Sequence, residues 1–264
     1  MVLAWPGGSA FPVLDKLSRD ESFHGTVYCS IAPSFSFAPD TFLGVRRITS
    51  CVKSIEQKRW SLNYYLNQLT STPLKANLCI LNAWALSPVE ILRQTLLLRN
   101  RKTVRVPILF PYHAYLLPDN QIRFTKNGES DSQIINQLKD IYDATVRNQS
   151  DIGPGNIEEL TQTITESVRR IKARGGRVIF VRFPSSGRFL ELETKQYPRE
   201  QYFDRIVRET DSIGIHFKDY PELSTLTCPE WSHLSTNDAK KFTFELIDIM
   251  RQHHVIPRRI AELR

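Results

Sequence analysis

Gly175-Gly176-Arg177-Val178-Ile179-Phe180-Val181-Arg182-Phe183-Pro184 decides the fold. An unbroken apolar run from Val178 to Val181, bounded by a glycine pair and a proline, marks a strand buried on both faces, as in a parallel sheet. The segment ahead of it reads as a helix. Gly153-Pro154-Gly155 breaks the chain, Asn156 with Glu159 is a helix-start signature, and Leu160, Ile164, Val168 and Ile171 repeat along one face. A helix closed by glycine and followed at once by a buried strand predicts an α/β architecture. Ligands in open parallel sheets bind beyond the carboxyl ends of strands, which brings Ser185-Ser186-Gly187-Arg188 into view. Arg188 is therefore a candidate substrate contact, with plain solvent exposure as the alternative.

Working toward the C-terminus, Pro198 to Thr210 reads as a helix, Ile213-Gly214-Ile215-His216-Phe217 as the last strand, and Ser235 with Asp238 as the start of a final helix. The buried face of that helix would be Ala239, Phe242, Leu246 and Met250. Toward the N-terminus, Val2 to Trp5 reads as a strand, Pro6-Gly7-Gly8 as a tight turn, and Phe11, Leu14 and Leu17 as helical. Gly25 to Ile31 reads as the next strand, ending at Ala32-Pro33-Ser34, so that the helix between completes a βαβ unit. Phe35, Phe37, Pro39 and Phe42 suit a loop, over a pocket or over ordinary core.

Thr49 to Arg101 is helical in period, with two or three helices whose apolar residues are expected to pack internally rather than form an interaction or membrane-facing surface. Val104 to Phe110 reads as a strand and Pro118 to Ser132 as a long surface loop. His113 lies among aromatics and faces either a pocket or solvent. The whole, residues 1–264, is expected to be one domain carrying a mainly helical insertion at about residues 50–150.

The 264 residues are 41% hydrophobic and 24% charged, a balance that buries a core and excludes disorder. The net charge of +7 permits attraction to phosphates or an anionic membrane but selects neither. The cations Arg93, Arg99, Arg101, Lys102 and Arg105 read as a solvated helix end, and no nucleic-acid partner is expected. Four cysteines without a C-x-x-C pair leave no metal-ligand spacing, and no cofactor is expected. The richest apolar run, Leu78 to Leu98, is interrupted by Asn82, Pro88, Glu90 and Arg93 and does not read as a membrane span, which leaves membrane association unsupported. No signal peptide is visible, and the cytoplasm is the default compartment. Because the chain opens almost directly in a strand, a leader or anchor trimmed ahead of Met1 stays open.

The chemistry concentrates in Cys228-Pro229-Glu230-Trp231-Ser232-His233-Leu234-Ser235, between the last strand and the last helix. Glu230 and His233 stand three positions apart, so one turn lets the carboxylate orient the imidazole, which is half of a hydrolase triad. Helix capping is the plain alternative for His233. The nucleophile candidate is Ser9 in Trp5-Pro6-Gly7-Gly8-Ser9, at a helix N-terminus where amides and the helix dipole stabilise a developing anion. A phosphate cradle is the other reading of that turn, but the P-loop lysine is missing.

A serine after the first strand and an acid-x-x-histidine before the last helix resemble the SGNH (GDSL-like) hydrolase superfamily, over residues 2–35 and 156–253. The serine stands in Gly7-Gly8-Ser9 where that family has Gly-Asp-Ser, and Glu230 stands for its aspartate. The resemblance implies a three-layer α/β/α fold with a mostly parallel sheet, flavodoxin-like in type. It implies Ser9 as nucleophile, His233 as base and Glu230 as orienting acid. It places oxyanion or substrate contacts at Gly8, at the amide of Ala32 and at Asn82, to which the position of Arg188 after its strand adds a further candidate contact. The activity implied is that of a serine esterase or acyltransferase acting on an O-acyl ester of a small molecule or carbohydrate. A domain of the same fold that has lost catalysis and binds a glycan or protein partner is the alternative.

Overall fold

The computed structural model describes residues 8–58, 61–78, 110–116 and 122–256. Val2–Trp5 and residues 104–109 of the strands expected near the N-terminus and mid-chain lie outside these. Helix α1 (Phe11–Ser18) leads into β1 (Thr26–Ser30), the one-turn α2 (Pro33–Ser36), and two longer helices, α3 (Leu43–Lys58) and α4 (Leu62–Asn77). After them come β2 (Ala114–Leu116), β3 (Ile122–Phe124), α5 (Lys126–Ser130) and α6 (Ser132–Ile152). The C-terminal part is α7 (Ile157–Ala173), β4 (Arg177–Arg182), α8 (Gly187–Gln196), α9 (Phe203–Glu209), β5 (Ile213–His216), α10 (Pro221–Ser224) and α11 (Thr236–Gln252).

The main sheet runs β1-β4-β5, and both pairings are parallel, with Cys29 opposite Phe180 and Phe180 opposite Gly214. β4 is its centre, and successive side chains of a strand leave on opposite faces. Val178 and Phe180 join Phe11, Leu14, Ile164, Val168 and Phe203 in one core, whereas Ile179 and Val181 join Ile215, Leu223, Phe242 and Met250 in another. Helices α1, α7 and α9 thus cover one face and α10 and α11 the other, giving α/β/α layers. Each buried Ile, Val or Phe contributes about 1.5–3 kcal/mol. The apolar stripe Ile164, Val168 and Ile171 of α7 therefore fastens that helix to β4.

The caps expected from sequence form. Asn156 Oδ1 accepts the Glu159 amide at 3.3 Å, and Ser235 Oγ accepts the Asp238 amide at 3.1 Å. Other segments depart from expectation. Of the segment Pro118 to Ser132 expected as a long loop, the described residues 122–132 are more than loop: β3 pairs antiparallel with β2, and α5 follows. Two side-chain caps drive this, Thr125 Oγ1 taking the Gly128 amide at 2.9 Å and Asp131 Oδ1 taking the Gln133 amide at 2.8 Å. The helix expected from Pro198 starts at Phe203. Residues 198–202 are spent on turns, and Arg199 reaches Asp204 and Asp219. The expected loop after β1 opens with the single turn α2. On α4, Leu62 and Leu69 are 74% and 73% exposed, so internal packing fails for these two. No helix among the described residues is long and apolar enough to cross a membrane.

Candidate active site

Beyond the carboxyl end of β4 the chain passes through Pro184 and two serines into α8, and the loop from Cys228 to Ser235 closes over it. Three bonds tie the two segments: the Cys228 amide to Ser186 Oγ at 2.9 Å, Cys228 Sγ to the Pro184 carbonyl at 3.5 Å, and the Ser186 amide to the Trp231 carbonyl at 2.9 Å. The loop turns at Trp231, whose φ of 81° lies in the left-handed region that a bulky side chain seldom adopts. Its indole covers Gly187, itself at φ 49°, where any β-carbon would collide with the ring. Such strain persists only where surrounding bonds over-determine it. The turn sends Glu230 inward while His233 faces outward.

Glu230 has no exposed surface. Both of its oxygens are filled, Oε1 by the His233 amide at 2.7 Å and Nδ1 at 2.9 Å, and Oε2 by the Ser232 amide at 3.3 Å and hydroxyl at 2.7 Å. Burial alone would raise its pKa. The hydrogen bonds and charge of His233, with help from Ser232, outweigh that and hold the carboxyl below its ordinary value. His233 keeps 60% of its side chain exposed. Desolvation of its inner edge opposes protonation, but Glu230 prevails and raises its pKa. With Nδ1–H directed at the carboxylate, Nε2 is left as the proton acceptor.

Aromatic rings surround this pair. Phe124 meets the His233 ring edge-on at 6.0 Å, His113 lies 6.1 Å beyond Phe124, and Phe110 bridges His113 and Tyr142 at 5.9 and 6.2 Å. Burial, with Glu230's charge adding to it, pushes the Tyr142 hydroxyl up, so it stays protonated. Cys228 is no nucleophile, because burial and then Glu230 push its thiol up to about 12. Among the described residues no group of three His, Cys, Asp or Glu side chains is placed to hold a metal.

Of the residues singled out in sequence, Glu230 and His233 come together. Ser9 is buried ahead of α1, whose Phe11 ring lies 5.8 Å from Phe37 in the segment following β1. That sets the serine, too, at the carboxyl end of the sheet. Its Oγ accepts the Phe11 amide at 3.2 Å and shares no hydrogen bond with His233. Gly8 is half-buried beside it. The Ala32 amide donates to Ser36 Oγ at 3.2 Å. The Arg188 guanidinium is paired with Asp143 of α6, which also holds Arg147 at 2.9 Å. Asn82 lies outside the described residues. Sequence reading missed Tyr142, Phe124 and Ser232: Phe124 reaches His233, and Tyr142 reaches Ser232, only through tertiary packing that no local pattern marks. Only the aromatics flanking His113 gave a signal.

Beneath the site lies a charged pair, Arg182 at the end of β4 and Glu193 on α8, only 5% and 7% exposed. Ser185 Oγ donates to Glu193 Oε2 at 2.8 Å and accepts from Arg182 Nη2 at 2.8 Å, and Ser34 reaches Glu193 Oε1 at 3.5 Å. This network joins the loop after β1 to the loop after β4. No protein-family model, curated protein or solved structure matches the chain. What defines the site is therefore its own geometry, a buried carboxylate orienting a histidine beyond the carboxyl edge of a parallel sheet.

Proposed function

We propose that the chain is a serine esterase or O-acyltransferase with an SGNH-like, flavodoxin-type α/β/α fold, acting on an O-acyl ester of a small molecule or carbohydrate. The observation that carries the reading is the wholly buried Glu230, whose Oε1 holds His233 Nδ1 at 2.9 Å and leaves Nε2 as base. Ser9 Oγ attacks the acyl carbonyl while His233 Nε2 takes its proton. The proton then passes to the departing alkoxide, and an acyl-enzyme remains. Water or a second alcohol, deprotonated by His233, releases the acyl group and restores Ser9. Glu230 stabilises the imidazolium in each half. Oxyanion donors come by resemblance from the Ser9 amide, the Ala32 amide and Asn82. For attack, Ser9 Oγ can keep accepting the Phe11 amide while its own O–H turns to donate to His233 Nε2.

A fluorophosphonate probe tests this. The expected result is an adduct mapped to Ser9 by mass spectrometry and lost in both Ser9→Ala and His233→Ala, a fall of more than about a thousandfold in labelling rate. One observation favours a second reading, a non-catalytic domain that binds a glycan or protein in the same cleft: Ser9 Oγ accepts from its own helix and makes no hydrogen bond to His233, and the Ala32 amide is given to Ser36. A folded protein that forms no adduct supports that reading and sinks the first.

A further inference from the structure

His113 is fixed at the rim of the Glu230–His233 site by both its backbone and its ring. Its carbonyl accepts the Thr125 amide at 2.8 Å and the Thr125 hydroxyl at 3.2 Å. Gly128 packs so closely on that carbonyl that any β-carbon there would collide with it. The ring's Nδ1 lies 2.7 Å from the Pro111 carbonyl. A carbonyl can only accept, so Nδ1 carries the proton and Nε2 keeps its lone pair. No residue among those described donates to Nε2. Burial is the main influence on this imidazole and lowers its pKa, in spite of the Pro111 bond and Glu230's charge, so the ring stays neutral near pH 7. Around it stand Phe110 and Phe124, at 5.9 and 6.1 Å. Phe110 and the adjacent Tyr112 are 36% and 53% exposed.

We infer that this rim is a subsite for a polyhydroxylated ring, a sugar unit of the ester or of its alcohol acceptor, with its C–H face against Phe110 and Phe124 and one hydroxyl donating to His113 Nε2. Partly exposed rings around a single fixed acceptor suit a ligand that is apolar on its faces and polar at its edge. An unadorned acyl chain would leave the acceptor unpaired. Phe124 touches both histidines, so a ring seated there lies beside the His233 imidazole, where the ester bond would be handled. The inference rests on the proposed ester chemistry for what happens to the bound sugar, and not for whether it binds.

The test is titration of the full chain with xylohexaose and with maltohexaose, followed by tryptophan fluorescence, since Trp231 sits in the loop that carries His233. Saturable binding of at least one is expected. His113→Phe keeps a ring between Phe110 and Phe124 but removes the acceptor, and should weaken the Kd about tenfold, the value of roughly one hydrogen bond. His113→Gln restores an acceptor and should recover most of the loss. Phe124→Leu, which spares His113, should weaken binding independently. No saturable binding of either sugar to folded wild-type protein, or equal binding by His113→Phe and Phe124→Leu, overturns the inference. Fluorophosphonate labelling separates the two proposals: an adduct without sugar binding removes the subsite alone, and sugar binding without an adduct keeps the subsite on a non-catalytic domain.

Discussion

The loop carrying Glu230 and His233 and the turn carrying Ser9 both lie at the carboxyl end of the sheet, yet they differ in how their polar atoms are engaged. In the loop every oxygen of the acid is bonded and the histidine is oriented, while its outer nitrogen faces outward. In the turn the hydroxyl serves its own helix through the Phe11 amide. An arrangement made within four consecutive residues is assembled by local geometry, whereas one between chain ends waits on tertiary contacts. The dyad is thus preorganised and the nucleophile is not, so the sharpest tests ask whether the two act together.

Glu230→Gln should break the dyad while keeping its shape. An amide accepts from Nδ1 as before but cannot balance an imidazolium, so the labelling rate should fall about a hundredfold to ten-thousandfold, less than for His233→Ala. Equal loss in the two variants would mean that Glu230 only holds the loop together. The pH profile sharpens the same point. His233 is raised above its ordinary 6.5 chiefly because Glu230's bond and charge overcome desolvation. The base is neutral only above that raised value, so labelling should climb through an apparent pKa above 6.5 and fall on the acid side. Removing the carboxylate withdraws what raises the pKa, and Glu230→Gln should move this limb toward lower pH. His113, the neighbouring imidazole, is shifted the opposite way and gives no limb above 6.5. The contribution of the charged pair to stability has the matching sign: present below about 6.5, where the unfolded histidine is also protonated, and lost as pH rises through the folded value.

Glu193 braces the sheet edge beneath the site, because its carboxylate reaches Ser34 after β1 and Ser185 after β4 while neutralising buried Arg182. Glu193→Gln strands that guanidinium and should cost about 3–5 kcal/mol in urea unfolding. A loss under about 1 kcal/mol would mean that the pair is hydrated and does not brace the site.

Legibility in the sequence followed the range of the interaction. The stretch from Asn156 to Arg182 was readable because a cap, a face period and a buried strand are all encoded within a few residues, and β5 and α11 were readable for the same reasons. Glu230 with His233 was readable because their spacing is one turn. Helix α8 escaped notice: it begins at Gly187, which is kept small by Trp231 more than forty positions along, and it has no side-chain cap to announce it. The segment through Thr125 and Asp131 reads as loop because its polar residues pattern as solvent-facing, whereas two of them are helix caps. Arg188 was a reasonable substrate contact from its position after β4, and only the arrival of Asp143 from α6 gave its charge a partner.

The smallest expected effect bears most directly on the serine. If Ser9 Oγ does no more than take the Phe11 amide, Ser9→Ala should cost about 1 kcal/mol of stability, the value of one local side-chain to backbone bond at a helix start, and change nothing else. If the serine is also the nucleophile, the same variant loses labelling outright with that same small cost. Urea unfolding and labelling on one preparation therefore separate the two roles. A loss of about 1 kcal/mol leaves nearly all molecules of a domain of ordinary stability folded, so a vanished adduct would report chemistry and not unfolding. A loss of 3 kcal/mol or more would instead make Ser9 a structural keystone of the turn, and the case for the serine as partner of His233 would then rest on the adduct's position alone.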